Sequence, residues 1–67
     1  MIKEYWYFTG EEEPVLQDYM WVQNKGPAYI YSTYSHQWFL LNEDKEVNTI
    51  PTEEVPPEYR VQMLLLL

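Results

Sequence analysis

The chain has 67 residues, no cysteine, and eleven Asp and Glu side chains against four Lys and Arg, a formal net charge of −7 with its one histidine neutral. That length holds one hydrophobic core and excludes a second domain, so residues 1–67 are read as one small domain that buries only about 60% of the surface its unfolded chain exposes. Disulfides and cysteine-held metals are excluded, and the negative charge disfavours nucleic acid and anionic membrane while attracting partners with a basic surface.

Ile2 to Phe8, with Tyr5, Trp6, Tyr7 and Phe8 in succession and Thr9-Gly10 to stop it, reads as a strand covered on both faces. Glu11-Glu12-Glu13-Pro14 suits the first turn of a helix, where carboxylates meet the positive end of the dipole and proline lacks only an unneeded N–H. Such a helix would place Val15, Leu16, Tyr19 and Met20 on one stripe, whereas a strand from Gln17 would alternate Tyr19 and Trp21 against Asp18, Met20 and Val22. The β-favouring Tyr, Trp and Val tilt the expectation for Tyr19 to Gln23 towards strand. Asn24-Lys25-Gly26-Pro27 ends whatever precedes it.

Ala28 to Tyr34 alternates Tyr29, Tyr31 and Thr33 against Ala28, Ile30, Ser32 and Tyr34, a strand pattern of period two. Ser35-His36 connects it to Gln37-Trp38-Phe39-Leu40-Leu41, apolar on both sides as a central strand should be. Asn42 to Lys45 is a polar turn, and Glu46 to Ile50 is an edge strand closed by Pro51, with Val47 and either Thr49 or Ile50 turned inward. The tail leaves two readings: Tyr59, Val61, Met63, Leu65 and Leu67 fit a strand's face, while Pro57, Glu58 and the helix-forming Arg, Gln, Met and Leu favour a helix, which is preferred. The expected fold is α+β or small all-β: a curled antiparallel sheet of four or five strands, sequential neighbours pairing, with a C-terminal helix or final strand. Leu64 to Leu67 are too apolar to stand in water and belong either to the core or to a partner.

Catalytic equipment is hard to assemble from these residues. A nucleophilic triad needs a base beside its Ser or Thr, and the one histidine, His36, follows Ser35 in a turn, where adjacent side chains diverge. The carboxylates fall on turns and element starts, so they read as solvated surface rather than a paired acid and base in a cleft. Asn42-Glu43-Asp44-Lys45-Glu46 lacks the glycine and distal glutamate of a calcium loop, and Gly10 and Gly26 are too far apart for a phosphate-binding loop. No enzyme activity, cofactor or metal is therefore expected. The start, Met-Ile-Lys-Glu-Tyr-Trp, lacks a signal-peptide layout and no apolar run approaches a membrane span, so the expected location is the cytoplasm.

What the sequence does offer is acid and aromatic surface. Glu11, Glu12, Glu13, Asp18, Glu43, Asp44, Glu46, Glu53 and Glu54, together with Tyr29 and Tyr31, are the candidate protein-contacting residues. Carboxylates spaced like phosphates, with rings between them, could fill a basic nucleic-acid groove of another protein. The leading expectation is thus a non-enzymatic module that inhibits or modulates a protein with a basic surface, nucleic-acid mimicry being its most pointed form. The alternative is a small structural or accessory subunit that self-associates or docks into a larger assembly through its apolar C-terminus.

A short acidic chain of this type, rich in Tyr and Trp, is similar to small bacteriophage proteins that bind and inhibit host enzymes or defence complexes. That likeness implies a host protein as partner and the host cytoplasm as location. Gly26-Pro27-Ala28, followed ten residues on by Trp38-Phe39, also resembles the Gly-Pro-Ala … Trp-Tyr sheet repeats of some viral and bacterial proteins, though Leu40-Leu41 stands where those repeats carry Asn-Gly. Neither resemblance transfers a functional residue.

Overall fold

Four successive aromatic side chains cannot face one way along an extended chain. In β1 (Tyr5–Phe8), Tyr5 and Tyr7 join one face of the sheet, and Trp6 and Phe8 join the other. The computed structural model, which describes residues 2–10 and 12–67, places five antiparallel strands in one open sheet of order β2-β1-β3-β4-β5. The others are β2 (Val15–Gln17), β3 (Ala28–Ser32), β4 (Gln37–Leu41) and β5 (Val47–Ile50). A five-residue helix, α1 (Tyr19–Gln23), packs on the first face. After β5 and a 3-10 turn at Thr52–Glu54, the ten-residue α2 (Pro57–Leu66) packs on the second. The fold is α+β, with the C-terminal segment helical.

With a helix on each side, the alternation of the strands feeds two cores. Tyr7, Val22, Ala28, Ile30 and Leu41 form the first, with Trp21, Phe39 and Val47 partly buried against it. Phe8, Tyr31, Trp38, Val55 and Met63 form the second, with Trp6, Tyr29, Ile50 and Tyr59 around them. The register explains the match: Tyr7 lies opposite Ile30 and Ile30 opposite Phe39, while Tyr31 lies opposite both Trp6 and Trp38. Rings meet edge-on or tilted, as for Tyr7 with Trp21 at 5.3 Å and Tyr31 with Trp38 at 5.2 Å, the arrangements that the ring quadrupole favours. Burying each Val, Leu, Ile, Phe or Met side chain fully contributes about 1.5–3 kcal/mol, so these two layers supply what a chain without disulfides needs.

The segment expected as a strand at Tyr19 to Gln23 is instead α1. Asp18 caps it, its carboxylate accepting a hydrogen bond from the Trp21 N–H at 2.8 Å, and Val22 is buried completely beneath it. Capping and burial outweigh the β preference of Tyr, Trp and Val. The expected helical turn at Glu12 to Pro14 is likewise absent: Glu12 and Glu13 are exposed in the link to the edge strand β2, and the Glu11 part of that expectation lies outside the described residues. Sequential pairing also fails at one point, because β1 lies between β2 and β3. β2 and β3 therefore run parallel on either side of β1, joined by α1. The first strand is shorter than expected, with Ile2 exposed, and at the β5 edge Ile50 rather than Thr49 is half-buried along with Val47.

Gly10 lets α2 sit close. Its φ of +89° suits glycine, and a Cβ built there would collide with the Tyr59 hydroxyl. Tyr59 then packs on Phe8 and Tyr29, with ring centroids at 5.4 and 5.6 Å, which fixes the face that α2 turns to the sheet.

Candidate interaction surfaces

Register places the acidic clusters. The β1–β2 link, with Glu12 and Glu13, and the β4–β5 turn, with Glu43, Asp44 and Glu46, lie at the same end of the sheet, three strand spacings or roughly 14 Å apart. In the second turn the Asn42 side chain accepts from the backbone N–H of Asp44 at 2.9 Å and of Glu46 at 3.0 Å, and all three acids are exposed. Lys25 and Lys45 interrupt the negative surface: the Lys45 ammonium donates to the Lys25 carbonyl at 2.6 Å, and the Lys25 ammonium stands 4.8 Å from the Trp21 ring centre. Glu53 and Glu54, exposed in the 3-10 turn that follows β5, stand at the opposite end.

Three remaining candidates have structural work. Asp18 is the cap of α1. Tyr29 is half-buried against Tyr59. Tyr31, only 9% exposed, belongs to the second core, so it cannot be the exposed ring that the sequence suggests. The period of two places Tyr29 and Tyr31 on one face, and α2 covers that face. Glu11 lies outside the described residues. The sheet thus brings Glu12, Glu13, Glu43, Asp44 and Glu46 to one end, where Tyr29, half-buried, is the nearest ring of β3, while Tyr31 is covered.

A continuous row of exposed apolar side chains lies on α2. Turning Tyr59 and Met63 to the sheet turns Val61, Leu64 and Leu65 outward, and these are 56%, 73% and 82% exposed. Their spacing of i, i+3 and i+4 makes a second stripe on the side of the helix away from its own core. Leu66 and Leu67 at the end of the helix are exposed as well, and the sequence alternative that buried the terminal leucines in this chain's own core is set aside by that exposure. A groove flanks the stripe on either side. One, of about 390 Å³, is lined by Trp6, Glu13, Pro14, Gln62, Leu65 and Leu66. The other, of about 350 Å³, lies between Leu64 and Leu67 on one wall and Tyr31, His36 and Trp38 on the other. Val61 lies outside the Leu64 to Leu67 segment singled out from sequence; the available signal was that Val61, Leu64 and Leu65 repeat the helical spacing beside Tyr59 and Met63.

Electrostatics at the Tyr59 contact are simple. Burial, then the Glu58 carboxylate and the neighbouring Tyr29, push its hydroxyl above the usual tyrosine range. Burial acts first in the same direction on Tyr5 and Tyr7 of the other face, with Glu4 and Tyr19 adding to it at Tyr5 and Glu12 at Tyr7. Among the described residues no helix is long and apolar enough to cross a membrane. In comparison with known proteins, the chain matches no family model, no curated protein and no solved structure.

Proposed function

We propose that this chain is a non-enzymatic protein-binding module that docks through the outward stripe of α2, with a second copy of itself as the partner the surface suits best. The observation that carries the reading is the exposure of Val61, Leu64 and Leu65 in one row on a helix whose other side is already packed. The largest contiguous apolar patch on a soluble monomer is often a functional surface. The row contains no ionisable side chain, so two copies of a −7 chain can meet there without opposing like charges. A ridge flanked by two grooves also has the shape that helices use when they pack side by side. A two-fold arrangement would set the ridge of each copy into a groove of the other.

Sedimentation equilibrium from micromolar to millimolar concentration, on the native chain and on a Leu64→Ser/Leu65→Ser variant, tests this. The native chain should pass from monomer to dimer, and the variant should remain monomeric with unchanged circular dichroism. A native chain that stays monomeric throughout would remove self-association from the reading.

A second reading, an acidic inhibitor of a protein with a basic surface, is favoured by one observation: Glu12, Glu13, Glu43, Asp44 and Glu46 share one end of the sheet. Its sharper form, mimicry of nucleic acid in a host protein, would have to work without Tyr31 as a stacking ring and with Tyr29 half-buried. Binding of that kind should weaken steeply with salt and fall when Glu43, Asp44 and Glu46 are changed to glutamine. Salt-independent binding would contradict it.

A further inference from the structure

In a chain with eleven carboxylates, the one arginine is held away from all of those described. Arg60 donates its Nε–H to the Val55 carbonyl at 3.1 Å, and it makes no ion pair among the described residues. That single bond fixes the guanidinium at the edge of the groove of about 350 Å³ and leaves its terminal N–H groups unengaged. His36 lines the same groove. It sits in the left-handed region at φ 56°, and its Nδ1 lies 3.3 Å from the Tyr31 hydroxyl, which leaves Nε2 unengaged. Trp38 and Met63, both buried, make the apolar floor, and Leu64 and Leu67 make the outer wall.

A cationic fork and an imidazole at the rim of an apolar trough are the complement of an anion carrying an apolar tail. We infer that this groove binds a small apolar monocarboxylate, its carboxylate taken by the Arg60 guanidinium and His36 Nε2 and its hydrocarbon laid against Leu64 and Leu67 over the Trp38 and Met63 floor. Charge selects the occupant. Guanidinium recognises a planar carboxylate through paired N–H donors, whereas the overall charge of −7 disfavours a polyanion, and a single negative charge meets less repulsion. The volume is near the lower end of the range for small-ligand sites and suits a short chain of carbons. This site goes beyond docking through α2, and it is tested at a concentration where the protein is monomeric, so failure of one reading leaves the other standing.

The test is a titration of the full chain with hexanoate, followed by the Trp38 indole and Arg60 Nε resonances, with 1-hexanol and hexylamine as matched probes. Hexanoate should shift both resonances saturably, and hexanol should bind at least about tenfold more weakly, the loss expected when a charge-assisted hydrogen bond is absent. Arg60→Met should weaken hexanoate by about the same factor and leave hexanol unchanged. His36→Asn, which tolerates the left-handed backbone, should weaken hexanoate to a smaller extent and serves if the arginine variant unfolds. Equal affinity for hexanoate and hexanol would overturn the proposal. So would shifts that map away from the groove, or hexanoate binding unchanged in both variants.

Discussion

The two helices cover opposite faces of one sheet and use their residues differently. α1 is five residues long, is capped by Asp18, and buries Val22 completely. α2 is twice as long, has no side-chain cap, buries only Met63 fully and turns Val61, Leu64 and Leu65 to solvent. A helix that served the fold alone would need one apolar stripe; α1 leaves Tyr19 and Met20 exposed but has no length for a second full stripe, and α2 carries one. That second stripe is the ground on which α2 is proposed as the interaction surface.

Substitutions separate the two roles. Met63→Ala, on the inward side of α2, should cost about 2–5 kcal/mol in chemical denaturation, as core truncations of that size do. A value near zero would mean that α2 is not anchored to the sheet as described. Gly10→Ala forces a side chain into a left-handed position and against the Tyr59 hydroxyl, for an expected loss of about 1–3 kcal/mol that a paired Tyr59→Phe change should partly relieve. On the other face, Asp18→Ala should cost about 1 kcal/mol, measured in the same way, through loss of the α1 cap. Both faces should weaken together in alkali. The hydroxyls of Tyr5, Tyr7 and Tyr59 titrate later in the folded chain than in the unfolded one, so their contribution is intact below about pH 10 and is lost as the pH rises above it. Leu65→Ser, on the outward stripe, should change monomer stability by no more than about 0.5 kcal/mol while reducing association.

Much of this fold can be read from local signals. The period of two in Ala28 to Ser32, the apolar run Gln37 to Leu41, the turns at Asn24 to Pro27 and Asn42 to Lys45, and the Pro57-Glu58 start of α2 each carry their own chemistry. Gln17 to Gln23 is different, because its apolar residues fit both periods. The deciding events are a side-chain bond from Asp18 and the insertion of β1 between β2 and β3, and the second is a long-range choice that no local window contains. The candidate surfaces divide in the same way. That Leu64 to Leu67 form an apolar end was legible from composition, and so was the exposure of Glu12, Glu13, Glu43, Asp44 and Glu46 on connections. Which side of α2 faces outward, and that Arg60 and His36 share a groove, depend on where Tyr59 and Met63 meet the sheet.

The account stands most directly on what α2 does as concentration rises. Amide chemical shifts of the isotope-labelled chain, recorded over a dilution series, should change for Val61, Leu64 and Leu65 and for the groove residues Trp6 and His36, while α1 and the β4–β5 turn stay fixed. Shifts that are independent of concentration, or that gather at Glu43, Asp44 and Glu46 instead, would contradict the assignment of α2 as the interaction surface.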